Sequence, residues 1–235
     1  MARGFPPLDE ELELLPGEFS PTVVESMVRV GAWMPFGAGA AMIEHFTKVL
    51  LSEPTVRRNT EVSGKAYVEL QAAEVESLRR EMPESPEGPA LQQISVDGAM
   101  VPPVGGRWAE VKTLAIGTVK REVVGQANGI AGARSAGIEV STEELSYFSR
   151  MTDHESFAEQ ALVEIYRRGT EKAREVCGVN DGAVWQQGFM DYHRPDAVRI
   201  LDWGHSSEYI AEAGQAVYGA GTAETSEWVG GGAAA

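Results

Sequence analysis

Residues 82–90 read Met-Pro-Glu-Ser-Pro-Glu-Gly-Pro-Ala, and this stretch separates two kinds of hydrophobic pattern. Three prolines and a glycine among acids neither continue a helix nor join a sheet. Before it, apolar residues recur at helical spacing. After it, they fall into short runs bounded by turn residues. The pattern predicts a helical module over 1–82, a linker over 83–90, an α/β domain over 91–228 and a Gly/Ala tail over 229–235. With 235 residues, 43% of them hydrophobic, the chain can build one sizeable core with a small module beside it.

In the first part, Ser20-Pro21 is a cap-then-proline helix start. Val23, Val24, Met27, Val28 and Trp33 follow at helical spacing, with Gly31 and Pro35 read as breaks. Phe36, Ala40, Ile43, Phe46, Val49 and Leu50 form a second stripe. Ser52-Glu53-Pro54 opens a third helix, which carries Arg57 and Arg58 early and runs to about Arg80. Three helices with short breaks and early arginines in the third fit a helix-turn-helix module that contacts DNA. A plain helical bundle fits the same pattern.

Beyond the linker, Leu91–Val96, Trp108–Val111 and Leu114–Val119 read as three strands of an antiparallel meander, and 125–146 as a loop. Thr152-Asp153-His154-Glu155 has capping-box spacing and opens a helix ending at Gly169. Val176–Val179 is a fourth strand, Trp185–Tyr192 a short helix, Ala197–Leu201 a fifth strand and Ser206–Tyr218 a last helix. The order βββ-α-β-α-β-α implies a mixed five-stranded sheet with helices on both faces, an α/β (α+β) class.

Composition excludes several classes. A net charge of −15, from 35 acids against 20 Lys and Arg, argues against a nonspecific nucleic-acid coat, whose affinity comes from basic side chains. One cysteine, Cys177 in an apolar run, rules out a disulfide framework and a cysteine-rich zinc site and reads as a small core residue. No apolar stretch reaches the ~18 residues of a membrane span, and no signal-peptide core is present. The chain reads as soluble and cytoplasmic, without membrane contact.

Two aspartates end apolar runs and precede the same dipeptide: Asp97 in Val96-Asp97-Gly98-Ala99 and Asp181 in Asn180-Asp181-Gly182-Ala183. An acid at a strand end beside a glycine faces a cleft without filling it. Two neighbouring carboxylates repel unless a cation lies between them, and hard oxygen donors suit Mg²⁺ or Mn²⁺. Asp-Gly is also an ordinary turn dipeptide, but its recurrence at two strand ends favours a shared metal site. Asp202, at the next strand end, and His205, one turn later, are placed to position a phosphate or a DNA strand; a helix cap and a surface histidine explain them too. Lys112 is a candidate phosphate contact or a cross-strand ion pair, and Trp185 a candidate base-stacking or core residue. His45, His154 and His193 read as incidental.

The element order is that of the RNase H-like fold, in which an acid on the first strand lies beside an acid ending the fourth. The chain also resembles bacterial insertion-sequence transposases with a DDE catalytic core, especially the Kra-type group. The resemblance rests on Phe5-Pro6-Pro7-Leu8-Asp9-Glu10-Glu11-Leu12, Ser95-Val96-Asp97-Gly98-Ala99-Met100-Val101-Pro102 and Trp108-Ala109-Glu110-Val111-Lys112-Thr113. It continues through Tyr166-Arg167-Arg168-Gly169, Asn180-Asp181-Gly182-Ala183-Val184-Trp185 and Ile200-Leu201-Asp202-Trp203-Gly204-His205.

The resemblance implies an RNase H-like core in which Asp97 and Asp181 are the first two catalytic acids and hold Mg²⁺ or Mn²⁺. Asp202 and His205 match the Asp-x-x-His element of Mutator-like relatives. It implies DNA, as element ends and target, for a partner, and a homo-oligomer that cleaves and joins strands. The family's final glutamate finds no match, because Glu208, Glu212, Glu224 and Glu227 come too soon after His205. The Cys-x-x-Cys ribbon that often precedes the Phe-Pro-Leu-Asp segment is absent too, and the end resembles a truncation. The expectation is a truncated, weak or inactive transposase. A stand-alone RNase H-like nuclease and a non-catalytic fragment that binds DNA or a full-length transposase are the other readings.

Overall fold

The computed structural model describes residues 19–103, 105–124 and 137–232. The Phe5–Leu12 motif, part of the loop expected over 125–146 and the final three alanines lie outside them. The chain forms two compact units, 1–74 and 75–235. The division falls inside a helix rather than at the proline-rich segment.

The first unit contains α1 (Pro21–Trp33), α2 (Phe36–Thr47) and most of α3 (Glu53–Glu81). Ser20 caps α1 through its side chain, with proline at the first turn as the sequence indicates. Met27, Ala40, Ile43 and Val56 form its core. Gly31 does not break α1. A Cβ there would lie 2.2 Å from the Thr60 hydroxyl, so glycine is needed for α1 and α3 to approach closely. Trp33, Phe46 and Leu50, expected on apolar stripes, are exposed.

The second unit is a mixed α/β domain. Its five-stranded sheet has the order β3-β2-β1-β4-β5, with β1 (Leu91–Val101), β2 (Ala109–Val124), β3 (Gly137–Arg150), β4 (Glu175–Asn180) and β5 (Val198–Leu201). β1, β2 and β3 pair antiparallel; β1 with β4 and β4 with β5 pair parallel. The expected meander is present, with its first strand where expected and its third built from other residues. The second and third expected strands are one strand, β2, because Lys112-Thr113 between them contains no turn former. The third strand is Gly137–Arg150, of which 137–146 falls in the segment expected to be loop. Its Ile138, Val140, Thr142, Tyr147 and Phe148 are strand formers, and pairing with β2 fixes them as a strand.

The helices are α4 (His154–Gln160), α5 (Leu162–Arg167), α6 (Val184–His193), α7 (Trp203–Tyr218) and α8 (Ala223–Gly232), with a 3-10 turn at Thr170–Lys172. Asp153 caps α4 by accepting from the Ser156 N–H at 2.8 Å. The single helix expected over 152–169 is split at Ala161. α7 starts at Trp203, three residues earlier than expected, because Asp202 caps it. The segment expected as a tail is helical as far as Gly232.

Ile94, Val96, Leu114, Ile116 and Val176 face one side of the sheet and meet Phe157, Phe189 and Met190 from α4 and α6. Among the described residues, this packed core lies on one face, not on both. The opposite face carries Gln93, Ser95, Thr113 and Val179, which stay partly exposed. The proline-rich segment is itself packed. Lys172 pairs with Glu84 at 2.6 Å, and Arg174 N–H and Glu175 N–H donate to Pro89 O and Ala90 O at 3.2 Å.

Candidate metal centre

Every β1–β4 pair, from Leu91↔Glu175 to Ile94↔Gly178, has one sequence offset. It is also the offset of the Ser95 Oγ bond to Val179 O, 2.7 Å long between residues 84 apart. Asp181 follows Asp97 by the same interval. Within a parallel ladder, neighbours in register alternate faces together, and the Ser95–Val179 bond carries the offset past the last ladder pair. Asp97 and Asp181 therefore emerge side by side on the partly exposed face, and both line a cavity of about 150 Å³ with Ser95, Asn180, Asp202 and His205. One expectation is corrected: Asp97 does not end its strand. β1 continues to Val101 along β2, and only the β4 ladder stops before Asp97.

Local hydrogen bonds orient both carboxylates. Asp97 Oδ1 accepts from the Gly98 N–H at 2.7 Å, and Asp181 Oδ1 from the Ala183 N–H at 2.8 Å. Gly182 has φ of 92°, a conformation that favours glycine and explains the residue after Asp181. The second oxygen of each acid has no hydrogen bond among the described residues, and no Lys or Arg there pairs with either acid. Two unpaired carboxylates with room for water match the way Mg²⁺ is held, by one or two acids plus waters and substrate phosphate. The described residues contain no group of three or more His, Cys, Asp or Glu suited to a metal. A cation would thus be held by Asp97 and Asp181, with its remaining positions left to other oxygens.

Asp202 and His205 enter the same cavity from the start of α7. Asp202 Oδ2 accepts from the His205 backbone N–H at 3.4 Å and lies 3.0 Å from His205 Nδ1. Their three-residue spacing is that of a helix cap and the third helical position. Cap and cavity wall are thus the same two residues. The His205 hydrogen bond lowers the Asp202 carboxyl below its ordinary value. Asp202 in turn raises His205, and the charge of Asp181 adds to this.

The DNA-contact candidates are elsewhere. Lys112 is 6% exposed, bonds Glu110 at 2.6 Å and Thr152 O at 3.0 Å, and sits 5.7 Å from the Trp185 ring centre. It is not available to a phosphate, and its ion pair lies along its own strand rather than across strands. Trp185 packs edge-on against Phe157 at 6.2 Å, a core role. Arg57 is exposed and bonds Glu61 on its own helix at 2.7 Å; Arg58 is exposed and has no ion pair among the described residues. Cys177 is half-buried rather than a core residue, and burial raises its thiol above the usual range. His193 is structural, with its ring 2.9 Å from Ala158 O.

No family model matches the chain, and no curated protein matches it.

Ser95 and Asn180 lie within the motifs that contain the acids, but their residue types carry no signal of a role at the site. Ser95 stands two positions before Asp97 and Asn180 one before Asp181. Their contribution depends on pairing between β1 and β4, which residue type alone does not reveal.

Proposed function

We propose that this chain is a DDE-type transposase of the bacterial insertion-sequence kind, with an RNase H-like core that acts on DNA phosphodiesters. The observation that carries the reading is the shared offset that sets Asp97 beside Asp181 in one cavity with Asp202 and His205. The strand order, an antiparallel meander followed by two parallel strands, supports it. Divalent ions in such sites activate the attacking oxygen and stabilise the leaving one. In this chain Asp97 and Asp181 would bind the ions, while Asp202 holds the His205 ring toward the cavity, where it can contact a phosphate. The helical first unit, with exposed Arg58, is the candidate DNA-contact module.

The test is nicking of supercoiled DNA bearing candidate element ends, in Mg²⁺ or Mn²⁺, by wild type, Asp97→Asn and Asp181→Asn. Metal-dependent nicking lost in both variants supports the reading. Nicking that persists in either variant rules out these acids as the centre. A second reading, DNA binding without cleavage, is favoured by the lack of a third metal-binding side chain among the described residues. Salt-sensitive binding with no nicking in either metal would select it.

A further inference from the structure

We infer that Asn180 is a positioning residue: its buried amide stands between β1 and β4 and sets the separation of the Asp97 and Asp181 carboxylates, and so their affinity for a small divalent cation. This rests on the metal-centre reading above. The β1–β4 ladder stops at Ile94↔Gly178. At the next turn of the pattern, the Val96 N–H does not donate to a β4 carbonyl. It donates to Asn180 Oδ1 at 2.8 Å, so a side chain occupies the gap between the two backbones. The Asn180 carbonyl accepts from the Asp202 N–H at 2.8 Å. One residue therefore ties together the backbone before Asp97, the backbone before Asp181 and the backbone of Asp202.

Two further features set this amide apart from ordinary core filling. Asn180 is 4% exposed, and its Nδ2 has no hydrogen-bond partner among the described residues. A buried donor without a partner is unfavourable, so stability alone does not select this side chain. Space for it comes from Gly178, where a Cβ would lie 3.3 Å from Asn180 Nδ2 and 2.9 Å from Met190 Cε. A continued ladder would draw the strands to their usual spacing. The amide takes the place of a ladder bond at the level where both carboxylates line the cavity.

Calorimetric titration of the full chain with Mn²⁺ and with Ca²⁺ tests this, using wild type, Asp97→Asn, Asn180→Ser and Asn180→Leu. Neither substituted side chain can accept from the Val96 N–H in the present geometry. Changes to groups that orient metal ligands weaken binding roughly 10–100-fold. Mn²⁺ affinity is therefore expected to fall by about that factor in both Asn180 variants, whereas Ca²⁺, with its flexible coordination, loses less. Faster exchange of the Val96 amide proton should accompany the change. If Asn180→Leu fails to fold, Asn180→Ser, the less disruptive change, carries the test. Mn²⁺ affinity unchanged, or both ions weakened alike, overturns the positioning role while leaving the centre intact if Asp97→Asn still abolishes binding. Asp97→Asn binding like wild type overturns the metal centre itself, and this inference with it.

Discussion

Gly88 lies where the proline-rich segment crosses the turn at Gly169–Ala173, and replacing it with alanine should loosen the start of the β1–β4 register. A Cβ on Gly88 would sit 2.3 Å from Gly169 O and 2.3 Å from the Ala173 nitrogen, both main-chain atoms that cannot swing aside. Reaching an ordinary contact of 3.4 Å requires the two backbones to part by about 1 Å. That movement acts directly on the Arg174–Pro89 and Glu175–Ala90 hydrogen bonds, each already 3.2 Å long. Losing both removes about 2 kcal/mol, and overpacking adds roughly 1–3 kcal/mol. Gly88→Ala should therefore destabilise the second unit by roughly 3–5 kcal/mol. Urea unfolding followed by far-ultraviolet circular dichroism measures it. Gly64→Ala is the control, since a Cβ there meets nothing within 4 Å; in an exposed helix it should stabilise by roughly 0.5–1 kcal/mol. A Gly88→Ala protein within about 1 kcal/mol of wild type would refute the clamp and its link to the register.

Burial holds the His193 imidazole down at about 4. Because the folded value lies below the unfolded 6.5, the unfolded chain binds more protons between these pH values. Stability should thus fall as pH drops through that window, by up to about 3 kcal/mol. The urea midpoint of wild type compared with His193→Gln at pH 7 and pH 4.5 checks this, and equal slopes would contradict it. Arg194 donates to Thr170 O and Ala173 O and clamps Asp196 with two bonds of 2.8 Å. Arg194→Met leaves both carbonyls without that donor and should cost about 2–3 kcal/mol in the same assay. Lys112→Met should leave the salt dependence of any DNA binding unchanged, since loss of a true phosphate contact reduces the slope by about 0.9; a reduced slope would restore Lys112 as a DNA contact.

Much of the candidate site is legible in residue order. Asp97 and Asp181 share a dipeptide context, and apolar runs before each announce strands. Asp202 and His205 have the spacing of a capped helix start, which local backbone geometry alone requires. The clearest difference concerns β3: the Gly, Ala and Ser content of 125–146 reads as loop, yet Gly137–Arg150 pairs along most of β2. Lys112 shows the same limit. In sequence it is a charged residue on an alternating strand; in the fold it is buried under Trp185 and neutralised by Glu110.

The residues alone establish a helical part followed by a mixed α/β part, and two acids that each follow an apolar run. Propensity, capping and turn chemistry act over a few neighbouring residues, so a single sequence carries them. The offset that aligns Asp97 with Asp181, the one-sided core and the Asn180 amide between β1 and β4 emerge only on folding. Strand register and burial depend on groups far apart in the chain, and no local pattern encodes which of them will meet.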